Sequence, residues 1–134
     1  MSSPDKPVDL ATELTTELPY LRRYARALTG SQDTGDRYAL ATLEAIVADP
    51  QSMESDQPTK VRLFRAFHQI WSTSGTPVEP QEDGADLLEA RAQWRLSQLT
   101  PNSREALLLH TLEEFGYESI GTIMDMTGSE AKEL

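Results

Sequence analysis

The stretch that most constrains this chain is its last one, LSQLTPNSREALLLHTLEEFGYESIGTIMDMTGSEAKEL, from Leu96 to Leu134, because it punctuates three helices in close succession. Thr100 supplies an N-cap hydroxyl, and Pro101 fits the first helical position, where its missing N–H is not needed. Leu108, Leu109, Leu112 and Phe115 recur on one helix face, and Gly116 offers a stop. A second helix is expected from about Tyr117 to Met124, with Ile120, Ile123 and Met124 inward. Asp125 to Thr127 then form a tight turn, and a third helix opens at Gly128 or Ser129. This is helix-turn-helix order, in which the third helix normally enters the major groove. Here that helix holds Glu130, Ala131, Lys132, Glu133 and Leu134, two of them acidic, which is unlike a DNA reader. A three-helix packing unit with no groove to enter fits the same pattern.

Charge weighs on that choice. The chain carries a net −10, spread unevenly: Met1 to Val78 has 10 acidic against 8 basic residues, and Glu79 to Leu134 has 12 against 4. The helix-turn-helix half is therefore net −8, and it would begin by repelling the phosphates that a DNA-binding module must neutralise.

The chain ahead of it also reads as helices. Residues 1–17 form an N-terminal segment expected to be mobile, with prolines and serines first and Asp9 able to cap a short turn. LPYLRRYARALTG puts Leu18, Leu21, Tyr24, Ala25 and Leu28 on one stripe, with Pro19 in the first turn and Gly30 at the end. Arg22, Arg23 and Arg26 lie off that stripe, on a solvated face or against an acidic partner. The next helix, capped by Ser31 or Asp33 and stopped at Asp49-Pro50, is apolar on two sides. Leu40, Leu43 and Val47 make one face; Tyr38, Ala39, Thr42 and Ile46 make the other, so either both are buried or one awaits another chain. Gln51 to Pro58 reads as a surface loop. TKVRLFRAFHQIWSTSG then brings Val61, Leu63, Phe64, Phe67, Ile70 and Trp71 to helical spacing as the centre of a first lobe.

STSGTPVEPQEDG is the linker, and Leu88, Ala92, Leu96 and Leu99 make the buried stripe of a fourth helix. The expected architecture is all-α, two small helical lobes joined by a polar linker that need not couple them rigidly. The divisions fall at 18–71, 72–86 and 87–134.

Several classes of function lack residues to stand on. The sequence has no cysteine, and its two histidines, His68 and His110, lie far apart, so no metal site is expected. No P-loop, dinucleotide fingerprint or nucleophile elbow is present, and the carboxylates stand singly, so neither an enzyme nor a cofactor is expected. No apolar run approaches the roughly 20 residues of a membrane span, and no leader is visible, which points to the cytoplasm.

Two helical lobes, the second ending in a helix-turn-helix, resemble the region 2 and region 4 lobes of extracytoplasmic-function sigma factors. Within that group LPYLRRYARALTGSQ, YALATLEAIVADP, RLFRAFHQIWSTSG and LTPNSREALLLHTLEEF are similar to the sigma-factor-like domains of the PhyR family, alphaproteobacterial regulators of the general stress response. The resemblance implies a sigma-factor mimic that captures the anti-sigma factor NepR and so frees the stress sigma factor. Gly35 to Leu40 occupy the segment with which a working sigma factor grips polymerase, with Ala39 and Leu40 standing where its polar Gln and Glu would face polymerase, and Asp125 stands where the turn usually has glycine. The family pattern includes a C-terminal receiver domain, and this chain ends at Leu134 before one begins, so binding without phosphorylation is expected.

The expected binding mode is helix-in-groove, the partner's amphipathic helices lying across both lobes. Candidates are Tyr38, Ala39, Thr42 and Ile46 in the first lobe and Leu107, His110, Ile120, Met124 and Met126 in the second. Arg22, Arg23 and Arg26 would pair with acidic residues of the partner, and the acidic second lobe would draw in a basic helix in a salt-dependent way. The rival readings are a genuine sigma factor or helix-turn-helix transcription factor, and a helical adaptor with an unrelated partner.

Overall fold

The structure, a computed structural model, describes residues 10–53, 56–74 and 100–134. Asp9, most of the linker and the helix expected around Leu88 to Leu99 lie outside the described residues. Those described form α1 (Leu10–Thr29), α2 (Gln32–Ala48), a 3-10 turn (Pro50–Met53), α3 (Thr59–Thr73), α4 (Pro101–Thr111), α5 (Tyr117–Met124) and α6 (Gly128–Lys132), with no strand among them.

α1 starts earlier than its stripe first suggests. Leu14 lies two turns before Leu21 on the same face and is buried with it, so the helix extends back into the segment assigned to residues 1–17. Pro19 therefore stands mid-helix rather than in a first turn. Its ring is exposed, where it removes one backbone hydrogen bond without meeting the core. Gly30 ends the helix with φ 78°, a left-handed conformation that costs glycine little. Ser31 then caps α2 by accepting from the Thr34 amide.

α1 and α2 approach most closely at Gly35. A β-carbon there would lie 2.6 Å from the backbone nitrogen of Arg26 and 2.8 Å from the carbonyl carbon of Ala25. Both are backbone atoms that cannot swing aside. Gly35→Ala should therefore push the two helices apart and cost about 3 kcal/mol, at the upper end for overpacking, read as a lower urea midpoint.

α3 supplies the aromatic centre. Phe64, Phe67 and Trp71 recur on one face and pack with Tyr24 of α1: Tyr24 lies 5.2 Å from Phe64 and 5.6 Å, edge-on, from Phe67. Leu21, Leu28, Leu63 and Ile46 close the layer, all fully buried.

The helix-turn-helix forms with its expected caps. Thr100 accepts from the Ser103 amide with Pro101 in the first turn, and Thr127 and Glu130 make a reciprocal capping box at the start of α6. α4 nevertheless stops at Thr111, ahead of Gly116. Glu114 takes φ 61° in place of a glycine, and the Phe115 amide turns back to the Leu109 carbonyl at 3.0 Å. Gly116 becomes the N-cap of α5, and Asp125 makes the following turn in the left-handed region, φ 60° and ψ 50°.

α5 packs on α3 and α4 on α1, so the helix-turn-helix half shares one continuous core with the first half. The arginine side chain of Arg104 is buried at this junction, its guanidinium 3.4 Å from the Leu28 carbonyl.

Candidate functional site

α2 decides what the first lobe can offer a partner, and of its two apolar faces the one carrying Tyr38, Ala39, Thr42 and Ile46 turns inward. Ala39, Thr42 and Ile46 lie in the core, and Tyr38 is half-buried. The aromatic face of α3 makes the selection: the Tyr38 ring meets Trp71 edge-on at 5.5 Å, and its hydroxyl donates to Ser74 Oγ at 2.7 Å. Thr42 can follow Tyr38 inward because its own hydroxyl is satisfied by the Tyr38 carbonyl at 2.8 Å. Leu40, 56% exposed, and Val47, 75% exposed, are left facing solvent, with Leu43 half-buried between them. Beside this stripe a cleft of about 250 Å³ runs between α1 and α2, lined by Leu18, Ala39, Leu40 and Leu43, with Arg22 and Asp36 also on its wall.

The three arginines are engaged within the chain. Arg26 grips Asp36 with two hydrogen bonds, 2.9 Å and 3.0 Å, and Arg22 approaches the same carboxylate at 3.5 Å. Arg26 first, then Arg22, hold the Asp36 carboxyl below its ordinary range. Arg23 turns the other way, onto Glu113. All three still line a shallow open cleft with Pro19, so their outer edges remain reachable.

In the second half Ile120 and Met124 are core residues and Met126 is half-buried. Leu107 and His110 are exposed. A residue the sequence did not single out joins them: the Tyr117 ring stacks on His110 at 4.7 Å, while His110 Nδ1 lies 3.1 Å from the Phe115 carbonyl. Tyr117 reaches that place only because the Glu114 turn folds α5 back under α4.

Two acids that sequence reading left on solvated faces are buried at the junction of the halves. Glu113 is fully enclosed, with Arg23 at 3.0 Å and Lys60 at 3.2 Å. Glu105 accepts from the Tyr24 hydroxyl at 3.3 Å and lies 2.8 Å from His68 Nδ1. His68 thus has a carboxylate partner. Two outer contacts reinforce the junction: Arg65 donates to the Thr122 carbonyl at 2.6 Å and lies 3.8 Å from Asp125.

Burial first, and the Glu105 charge second, push the Tyr24 phenol well above its ordinary 10.0. The folded chain therefore keeps a proton that the unfolded chain gives up above that pH. Stability contributed by Tyr24 is complete below pH 10 and should fall by about 1.4 kcal/mol per pH unit above it. Stabilities from urea denaturation should be independent of this group up to about pH 10 and decline above it, and Tyr24→Phe should reduce that decline.

Among the described residues no helix is long and apolar enough to cross a membrane. None of the described residues forms a His, Asp and Glu group able to hold a metal ion.

A three-helix lobe whose α1 and α3 carry a helix-turn-helix, with apolar residues exposed on both halves, defines a sigma-factor-like protein. Comparison with known proteins places it within that class. Residues 14–68 match the family model described as the sigma2 domain of PhyR, and residues 96–134 match that of the response regulator PhyR, sigma-like domain. The chain is 44% identical over 117 residues to the phyllosphere-induced regulator PhyR of Methylorubrum extorquens, covering 87% of this chain and 43% of that protein. It therefore spans less than half the length of that relative. The PhyRSL–NepR complex from Sphingomonas sp. Fr1 matches with TM-score 0.77 and 41% identity, over 94% of this chain and 82% of that one. The anti-anti-sigma factor PhyR complexed with the anti-sigma factor NepR, from Bartonella quintana, matches with TM-score 0.77 and 31% identity, over 93% and 45%. The chain belongs to the family of PhyR sigma-like domains.

Proposed function

We propose that this chain is a sigma-factor mimic that captures an anti-sigma factor of the NepR type and so releases the general stress response sigma factor. It acts in the cytoplasm by binding protein, with no catalysis and no promoter reading. The relatives solved in complex with NepR support the choice of partner. The observation that carries the reading is the apolar stripe on α2, with Leu40 and Val47 exposed and Leu43 half-buried between them. An amphipathic helix laid along that stripe and the adjoining cleft would bury it.

On the second half the contact falls on Leu107, His110 and Tyr117. The candidates that turn inward, Ala39, Thr42, Ile46, Ile120 and Met124, support these surfaces from beneath. The reading keeps the lobes at 18–71 and 87–134 with residues 72–86 as their connection. Promoter reading is disfavoured by the exposed residues of α6 and its C-cap, where Glu130 and Glu133 outnumber Lys132, and by the net −8 of residues 79–134.

The test is a calorimetric titration of the unphosphorylated chain with a NepR-type anti-sigma factor at two salt concentrations, with promoter DNA as control. Tight binding to the protein, weakened by salt, and none to DNA is the expected result. DNA binding without protein binding would return the chain to the promoter-reading sigma factors.

A further inference from the structure

We propose that Glu105 and Glu113 are positioning residues that lock the helix-turn-helix half onto the first half in one orientation, so that a partner spanning both meets a preassembled surface. The inference rests on the anti-sigma reading above. It starts from a register. Lys60, Phe64 and His68 follow one another at four-residue spacing along a single face of α3. The second half answers with Glu113, Phe115 and Glu105: Lys60 Nζ is 3.2 Å from Glu113, the Phe64 and Phe115 rings are 5.3 Å apart edge-on, and His68 Nδ1 is 2.8 Å from Glu105. α1 adds a hydrogen-bond donor to each acid, Arg23 to Glu113 and Tyr24 to Glu105, beside the ion pair of Lys60 with Glu113 and the contact of His68 with Glu105.

An apolar contact alone would let one half slide or roll on the other at small cost, because dispersion and burial have little directionality. Two enclosed carboxylates behave differently. A carboxylate removed from water is tolerable only where its donors are, so each acid fixes one point of the second half against two helices of the first. Two such points, separated by Phe115 on Phe64, fix rotation as well as distance. Lys60 itself is held in place, its ammonium lying over the rings of Tyr20 at 4.6 Å and Phe115 at 5.1 Å. The arrangement serves orientation more than stability, since buried ion pairs add little net stability over apolar ones.

The consequence for binding is preorganisation. The exposed stripe on α2 and the Leu107, His110 and Tyr117 patch on α4 and α5 belong to different halves. A rigid partner engages both without first arresting their relative motion only if that motion is already stopped.

The chain has no cysteine, so spin labels can be placed at will. With labels at Glu44→Cys and Ser129→Cys, both exposed positions, pulsed electron resonance should give one narrow distance in the parent. It should give a broadened distribution in Glu105→Gln/Glu113→Gln at unchanged helical content. The same double variant, unlabelled, should bind a NepR-type anti-sigma factor about tenfold more weakly. The single variants, each isosteric, carry the test if the double one fails to fold. An unchanged narrow distance overturns the lock whatever the binding result. A broadened distance with unchanged affinity overturns the preassembly. A parent that binds no anti-sigma factor defeats the functional reading instead, and the distances still judge the lock.

Discussion

Phe64→Ala should destabilise the chain by about 4 kcal/mol, the largest loss expected from any single side chain here. The ring is fully buried and faces Tyr24 of α1 on one side and Phe115 of the second half on the other, at 5.2 Å and 5.3 Å. Truncation forfeits the transfer free energy of the ring and leaves a cavity whose walls cannot close. α3 is held by α1 and α5 together, and neither can advance without losing the other. Lys60, which lies 5.7 Å over the Phe64 ring beside Glu113, would face that cavity as well. Urea denaturation followed by helical circular dichroism checks the value. A loss below about 1.5 kcal/mol would mean that the ring is not the joint between the halves. Phe64→Leu, which keeps most of the volume, should lose less than half as much.

What the sequence made legible is what depends on neighbours three or four residues away. Thr100 and Pro101 open α4, Ser31 opens α2, Gly30 closes α1, and Asp125 turns the chain into α6, each through a local hydrogen bond or a local backbone preference. The apolar stripes of α1 and α3 were equally plain, because only one face of each was apolar. α2 offered two, and periodicity carries no information about which of two apolar faces turns inward. That choice belongs to Trp71 and Phe67, some 30 residues further along the chain, which Tyr38 meets edge-on.

The charges were opaque for the same reason. Arg23 and Glu113 are 90 residues apart in sequence, and nothing near either one announces the other. Glu105 and Glu113 counted toward the −8 of the second half, yet both are enclosed, so the field a partner meets is less acidic than the composition. Glu114 hid the end of α4, since a non-glycine residue at positive φ leaves no mark that a glycine would.

Placing acids at both exposed positions of the α2 stripe, Leu40→Glu/Val47→Glu, should weaken binding of a NepR-type anti-sigma factor by about 100-fold or more while leaving the fold intact. Leu40 and Val47 are two turns apart on one face and contact little of their own chain, so stability should change by no more than about 0.5 kcal/mol. In a complex the same positions would lie beneath the apolar side of the partner's helix. Each new carboxylate would then have to shed its water with no cation provided to receive it. Arg22, the nearest basic group on the cleft wall, is already shared with Arg26 on Asp36 and cannot neutralise two more acids. Leu63→Ala supplies the contrast. That side chain is fully buried on α3 and belongs to neither surface, so its loss should lower the urea midpoint and leave the affinity of the folded chain unchanged. If the double variant instead binds as tightly as the parent, the partner does not lie on α2, and the contact must be carried by Leu107, His110 and Tyr117 on the other half.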